Sequence, residues 1–187
     1  MTVRDILRIG HPVLREAARP VDPAEVQPLI DDLVDTMRAA NGAGLAANQI
    51  GEPLQVCVIE VRPGNPRYPY KPVIPLTVLV NPVLEPLTEE TFANYEGCLS
   101  VPDLRGVVDR FVEVRVQALD RHGTPIDTIV RGLSAGTFQH ETDHLHGRLF
   151  VDRVTDTRTL CTWGEFQERY EPGFVKRVHS LVDRFGS

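Results

Sequence analysis

The sequence predicts an α+β fold in one domain, with mixed and mainly antiparallel sheets packed around a central helix. The chain has 187 residues, and a domain of that size buries about 70% of the surface of its unfolded chain. Short β-branched runs and two helical patterns share the chain, and one run, a turn and a second run follow each other as in a hairpin. No internal repeat or linker divides residues 1–187, so we assign them to a single domain.

The first half of the chain predicts one helix and two strands. Apolar residues recur at helical spacing over residues 25–40, which indicates an amphipathic helix. The β-branched runs at 56–59 and 78–80 are bounded by Gly, Pro and Asn, as strands commonly are. The proline-rich residues 62–75 between the two runs are predicted to form a loop.

The second half predicts a hairpin followed by a helix. Residues 111–119 alternate strictly between apolar and polar, which indicates a half-buried strand. A turn and residues 125–130 supply its predicted partner. Helical patterning returns over residues 134–146, with Ser134 as the predicted N-cap and Gly147 as the C-terminal stop.

Charge and hydropathy exclude two classes of partner. The net charge is -6 and there is no dense run of Lys and Arg, so we expect no binding to nucleic acid by the chain alone. Residues 1–8 carry charges where a signal peptide needs an apolar core, and no stretch approaches the roughly 20 apolar residues of a membrane span. We therefore expect a cytoplasmic protein with no membrane partner.

A metal site is predicted by His140-Glu141-Thr142-Asp143-His144, which lies in the second predicted helix. Histidines four residues apart share one helical face, so both imidazoles can reach one metal ion. Glu141 stands about 100° around the helix from His140, where it can reach a water on that metal without being a ligand.

The third ligand must come from another part of the chain, because a catalytic metal typically has three protein ligands and an open position. No downstream His completes the longer zinc-protease pattern, and the nearest candidate is Cys98 upstream. The three cysteines are far apart in sequence, so we expect Cys57 and Cys161 to be inert thiols rather than members of a disulfide framework.

Three motifs follow one another in order: Gly-Ala-Gly-Leu-Ala-Ala-Asn-Gln at 42–49, Glu-Gly-Cys-Leu-Ser at 96–100, and Gln-His-Glu-Thr-Asp-His at 139–144. With them the chain resembles the peptide deformylase family, and further matches extend the resemblance over roughly residues 5 to 153. It implies a central helix that binds one divalent metal through Cys98, His140 and His144. It also implies Fe²⁺ as the native metal, with Zn²⁺ or Ni²⁺ as substitutes, and these donor types suit both iron and zinc.

The resemblance also implies an activity: hydrolytic removal of the formyl group from the N-terminal formyl-methionine of newly made polypeptides. Glu141 is then the acid/base, and the Gln49 side-chain amide and the Leu99 backbone N–H stabilise the oxyanion. This N-terminal processing belongs to protein biosynthesis. The expected partners are N-formyl-methionyl nascent peptides, with the ribosome as a further candidate.

Four small residues are implied to bind the substrate backbone as an added strand: Gly42, Ala43, Gly44 and Gly97. The same resemblance places Arg105 near the substrate. For Arg105, a solvated surface charge is an equally weighted alternative. Two other functions stay open, a related amidase acting on another N-acylated or formylated substrate, and a non-catalytic relative that binds nascent chains.

Two features depart from the family pattern. Relatives usually carry Ile or Arg near position 136, whereas this chain has Gly136, so we expect a wider methionine pocket. The tail over residues 157–187 does not resemble the basic tail common in the family. Its aromatic spacing predicts core packing rather than a ligand site.

Overall fold

The computed structural model describes residues 2–186, so Met1 and Ser187 of the predicted domain lie outside the described residues. The larger sheet has five strands in the order β1-β2-β3-β6-β7, and the smaller has three in the order β4-β5-β8. All pairings between these strands are antiparallel. The strands are β1 Gly44–Ala46, β2 Val56–Val61, β3 Ile74–Pro86, β4 Thr91–Cys98, β5 Val101–Phe111, β6 Glu113–Leu119, β7 Pro125–Arg131 and β8 Cys161–Thr162.

Helices precede, separate and follow the strands along the chain. The α-helices are α1 Gln27–Ala39, α2 Gly132–Leu145, α3 Trp163–Glu165 and α4 Glu171–Phe185, and a π-helix, Phe166–Tyr170, joins the last two. The short 3-10 helices are Pro12–Arg15, Pro23–Glu25, Ala47–Ile50, Phe150–Arg153 and Thr157–Thr159. Within residues 2–186, no helix combines the length and apolarity that crossing a membrane requires. The predicted α+β class with mainly antiparallel sheets is confirmed.

Helix α1 buries Ile30, Leu33 and Met37 against the five-stranded sheet, as its periodicity predicts. Its predicted start at residue 25 is wrong, because residues 23–25 form a separate 3-10 helix and α1 begins at Gln27. Pro28 has no N–H to donate and is tolerated only in the first helical turn. A helix that began at residue 25 would need the Pro28 N–H to donate to the residue 24 carbonyl, which proline cannot do.

The strand predictions at 56–59 and 78–80 are confirmed, but two boundaries change. The loop predicted at 62–75 ends two residues sooner, because β3 begins at Ile74. The strand predicted at 111–119 is two strands: Phe111 ends β5 in the smaller sheet, and β6 begins at Glu113 in the larger. Val112 between them is buried, so the alternation of polarity continues across the break. The hairpin of β6 with β7 is confirmed.

Helix α2 is central, since twelve of its fourteen residues are buried. The predicted N-cap Ser134 is wrong, because the helix begins at Gly132 directly after β7. Gly132 has a positive φ of 56° and its N–H donates to the Val112 carbonyl, so this glycine makes the turn from strand to helix. Gly147 ends the helix as predicted, with φ of 69°. A β-carbon there would stand 2.5 Å from the Arg15 carbonyl oxygen.

Two aromatic side chains of the C-terminal tail pack in the core as predicted, whereas Tyr170 is 43% exposed. Phe166 and Phe174 are fully buried, and both contact Tyr95 of β4. Phe174 also packs edge-on against Tyr70, which lies in the loop between β2 and β3. The tail thus covers one side of the smaller sheet.

Candidate active site

The three predicted metal ligands come together between the two sheets. Cys98 ends β4, while His140 and His144 project from α2. One donor atom from each lies within 4.8 Å of the others, and Cys98 Sγ is 3.3 Å from His144 Nε2. Burial alone would raise the pKa of Cys98, but the imidazoles of His144 and His140 lower it well below its ordinary value. A thiolate and two imidazoles at this spacing fit one divalent metal ion.

Glu96 orients the first histidine. Its Oε2 accepts a hydrogen bond of 2.8 Å from His140 Nδ1, which leaves Nε2 for a metal. Arg110 holds Glu96 through bonds of 2.7 Å and 2.9 Å to its two oxygens. Burial by itself would raise the pKa of Glu96, but the Arg110 charge holds it well below its ordinary value. Glu96 therefore stays a carboxylate.

The network continues to Asp143, which accepts a 2.6 Å hydrogen bond from Arg110 Nη1 and also pairs with Arg153. Sequence reasoning missed these roles. Glu96 and Asp143 stood inside quoted motifs without an assigned function, and Arg110 occupies a strand position where an arginine is usually exposed. In the structure its side chain is 2% exposed.

Glu141 lines a cleft together with Cys98 and His140. It is 5% exposed, and its Oε2 has no hydrogen-bond partner among residues 2–186. Burial raises the pKa of Glu141 above its ordinary value. A carboxyl group with a raised pKa and a free oxygen is suited to general acid–base chemistry.

Gln49 and Leu99 are 50 residues apart in sequence but line the same cleft. The Gln49 Oε1 accepts a 2.8 Å hydrogen bond from the Ala46 N–H, which fixes the direction of its amide. Its Nε2 therefore points to Ser100 Oγ at 3.0 Å and to Cys98 Sγ at 3.5 Å. Leu99 follows Cys98 in the turn between β4 and β5.

Sheet edges line the cleft on both sides. The strand β1 is at one edge of the larger sheet, and β4 is at one edge of the smaller. Ala43 and Gly44 line the cleft from the first edge and Gly97 from the second. Gly42 precedes them, where an added β-carbon would come within 3.0 Å of Leu99 Cδ1. An extended peptide between the edges has backbone partners on either side.

Arg105 is buried, so a solvated surface charge is the wrong alternative for it. The residue is 1% exposed. Its Nη2 donates to the Tyr70 hydroxyl at 3.1 Å and to the Tyr95 carbonyl at 2.7 Å. The guanidinium lies 4.2 Å from the Phe166 ring centroid and 4.6 Å from that of Trp163. The C-terminal tail therefore holds Arg105 against the cleft.

The expected open space beside Gly136 is occupied. A β-carbon at this position would stand 3.1 Å from Phe92 Cζ and 3.3 Å from Asn94 Nδ2. These two side chains of β4 fill the space beside Gly136. The prediction of a wider pocket at this point is therefore wrong.

We expect Gly136→Ile to lower the free energy of unfolding by about 1–3 kcal/mol, because the new side chain overpacks against Phe92. Gly136→Ala is the control: it gains about 1 kcal/mol of helix propensity and shares the close contact of the β-carbon with Phe92, so the difference between the variants isolates the larger side chain. Urea titration of both variants measures the difference. An isoleucine variant at least as stable as the alanine variant would contradict the crowding around Gly136.

We expect Gly44→Ala to lower kcat by about 100-fold, the scale of loss that a misplacement near 1 Å can cause. Its β-carbon would stand 2.4 Å from the Glu141 carboxyl carbon, so that carboxylate must move. Gly164→Ala is the matched control, because no atom lies within 4 Å of a β-carbon there. Turnover and melting temperature are measured together. Full activity in Gly44→Ala would show that the position of Glu141 does not limit the reaction.

Comparison with known proteins identifies relatives along most of the chain. A family model for polypeptide deformylase matches residues 3–159. Peptide deformylase 1 of Prochlorococcus marinus (strain MIT 9313) is 45% identical, over 98% of this chain and 96% of its own. Peptide deformylase 1 of Nitrosomonas europaea is 47% identical, over 83% of this chain and 90% of its own.

Solved structures show the same fold. A class I type b peptide deformylase from Acinetobacter baumannii, bound to Met-Ala-Ser, superimposes with a TM-score of 0.77 at 38% identity and covers 82% of this chain and 99% of its own. A peptide deformylase from Synechococcus elongatus in complex with actinonin gives 0.74 at 32% identity and covers 97% of this chain and 85% of its own. This chain therefore belongs to the polypeptide deformylase family.

Proposed function

We propose that this chain hydrolyses the formyl amide at the N-terminal formyl-methionine of newly made polypeptides. The observation that carries the proposal is the group of Cys98, His140 and His144 with Glu141 beside it, whose Oε2 has no hydrogen-bond partner among residues 2–186. The Acinetobacter baumannii relative is bound to Met-Ala-Ser, the peptide that remains after formyl-Met-Ala-Ser loses its formyl group.

One divalent metal held by Cys98, His140 and His144 would polarise the formyl oxygen and lower the pKa of a water, which is what such ions supply to amide hydrolysis. We propose Fe²⁺ as the native ion and Zn²⁺ or Ni²⁺ as substitutes. The support is chemical, because a thiolate and two imidazoles suit these three metals better than Mg²⁺ or Ca²⁺.

Proton transfer falls to Glu141, which accepts a proton from the attacking water and returns it to the amine as the formyl C–N bond breaks. Formate and a free amino terminus are the products. The Gln49 Nε2 and the Leu99 N–H donate hydrogen bonds to the oxygen that gains negative charge in the tetrahedral intermediate. The bond from the Ala46 N–H fixes the direction of the Gln49 amide before substrate binds.

Recognition of the peptide relies on the backbone. Gly42, Ala43, Gly44 and Gly97 would pair with an extended peptide between β1 and β4, which tolerates many sequences. Arg105 borders the same cleft. Nascent chains are then the natural substrates, and we place the enzyme in the cytoplasm with the ribosome as a candidate partner.

The test is release of formate from formyl-Met-Ala-Ser by anaerobically purified protein whose metal content is measured. We expect turnover in proportion to bound metal, and little turnover of acetyl-Met-Ala-Ser. Faster hydrolysis of the acetyl peptide would favour an amidase of another substrate class. Binding of the formyl peptide without turnover by the fully metal-loaded protein would favour a non-catalytic binder of nascent chains.

A further inference from the structure

A lysine enters the cleft from the loop between β2 and β3. Lys71 lines the same cleft as Glu141 and Gly136. Its Nζ donates a 2.9 Å hydrogen bond to Thr137 Oγ1 and lies 4.8 Å from the Tyr68 ring centroid. Thr137 is three residues before the metal ligand His140 on α2, so the ammonium group stands about one helical turn from the metal site.

No counter-charge is in contact with this ammonium group. Among residues 2–186, Lys71 forms a hydrogen bond with a hydroxyl and a contact with an aromatic ring, but no ion pair. Arg105 across the cleft is likewise without an ion pair, and its Nε and Nη1 are buried with no hydrogen-bond partner. The nearby carboxylate of Glu96 is already neutralised by Arg110. Glu141 also faces Lys71 across the cleft, but neither Lys71 nor Arg105 has a carboxylate in contact within residues 2–186.

A buried ammonium group costs free energy unless a partner such as a bound ligand accepts a hydrogen bond from it. Burial lowers the pKa of Lys71 to about 8, because its surroundings replace water around the charge poorly. A methionine thioether is only a weak acceptor and offsets little of that cost. A carboxylate accepts a charge-assisted hydrogen bond, which is about twice as strong as a neutral one.

We propose that Lys71 extends the substrate range of this cleft to formylated peptides whose first side chain ends in a carboxylate, with formyl-glutamate as the class closest in length to formyl-methionine. The inference rests on the proposed deformylation and concerns selectivity at that same site. The alkyl chain of Lys71 can still line a pocket for methionine while its ammonium group bonds Thr137. The cleft would then accept both substrates.

The experiment compares kcat/KM for C-terminally amidated peptides, so that the tested side chain supplies the only carboxylate. Formyl-Met-Ala-Ser and formyl-Glu-Ala-Ser are the main pair, and formyl-Gln-Ala-Ser separates charge from shape. Formyl-Met-Glu-Ser moves the carboxylate to the second residue. The proteins are the wild type, Lys71→Met, Lys71→Arg and Lys176→Met. Lys176 is the only other lysine in the chain and lies exposed on α4, so it is the matched control.

We expect Lys71→Met to lower the Glu-to-Met ratio of kcat/KM by about 10- to 100-fold, the range of one charge-assisted hydrogen bond. The loss should appear mainly in KM for the glutamyl peptide. The ratio for formyl-Gln should fall less, Lys71→Arg should keep part of the preference, and Lys176→Met should equal the wild type.

A pH profile adds a second readout. The charged and titratable groups that face Lys71 are Arg67 and Tyr68 of its own loop, Glu96 of β4, Arg105 of β5 and Glu141 of α2. Because Lys71 loses its charge as the pH rises through about 8, the wild-type Glu-to-Met ratio should decline there. The ratio in Lys71→Arg should not decline, since arginine stays protonated.

Each other outcome counts against the proposal. An unchanged Glu-to-Met ratio in Lys71→Met overturns it, and so does a selective effect on formyl-Met-Glu-Ser. An equal fall in kcat for both main substrates would make Lys71 a positioning residue for Glu141 instead. If Lys71→Met does not fold, Lys71→Gln gives the same comparison. Absence of wild-type turnover with formyl-Met-Ala-Ser would overturn the proposed function itself, which separates the two failures.

Discussion

Glu141→Gln is expected to lower kcat by about 10²–10⁴-fold while the protein keeps its metal. Glutamine has the shape of glutamate but cannot accept the proton of the attacking water or return it to the amine. The ligands Cys98, His140 and His144 are untouched, so binding of the metal and turnover should separate. Steady-state deformylation of formyl-Met-Ala-Ser and metal analysis on the same sample measure both.

The matched control for that variant is Glu168→Gln. Glu168 lies in the π-helix of the tail and its side chain is 72% exposed. Its amide variant should keep both the wild-type rate and the wild-type metal content. Near wild-type hydrolysis by Glu141→Gln would assign the acid/base role to another group, and loss of its metal would show that Glu141 is needed for the metal site.

Cys98→Ala is expected to reduce metal affinity by more than about 100-fold, beyond the 10- to 100-fold that loss of an outer hydrogen-bond partner typically costs. Only two imidazoles would remain, and their site would lack the negative charge of the thiolate. Activity should fall with the metal content. Metal analysis after dialysis against a weak chelator is the measurement.

The two other cysteines supply controls for Cys98. Burial raises the pKa of Cys57 well above its ordinary value, and it also raises the pKa of Cys161. Both are therefore protonated at neutral pH and poor metal ligands. We expect Cys161→Ala to keep stoichiometric metal. Stoichiometric metal in Cys98→Ala would exclude Cys98 as a ligand.

Helices α1 and α2, strands β2, β3, β6 and β7, and the pairing of the two histidines follow from local sequence. His140 and His144 share a helical face whatever surrounds the helix, because the helix repeats every 3.6 residues. The hairpin of β6 with β7 is equally local, since a turn and alternating polarity define both strands. Cys98 is different, because only its motif linked it to the histidines more than forty residues later.

Strand β4 and the first ten residues of β5 were not predicted, although they position Cys98 and Gly97. Their alternation is interrupted by glycine and by buried polar residues such as Asn94, Glu96 and Arg110. Those polar side chains can be buried because they form hydrogen bonds with one another and with Asp143 of α2. A pattern of polarity along the chain cannot reveal this, since each polar residue reads as exposed.

Short motifs and helical or strand periodicity were enough to predict the family, the metal ligands proposed here and the α+β class. The surroundings of the site depend instead on tertiary contacts. Arg110 of β5 forms ion pairs with Glu96 of β4 and Asp143 of α2. The C-terminal tail, which is distant in sequence, packs Phe166 against Arg105. Lys71 reaches the cleft from a loop without periodicity. The physical reason is that burial and charge pairing arise between residues far apart in sequence, where local patterns hold no information.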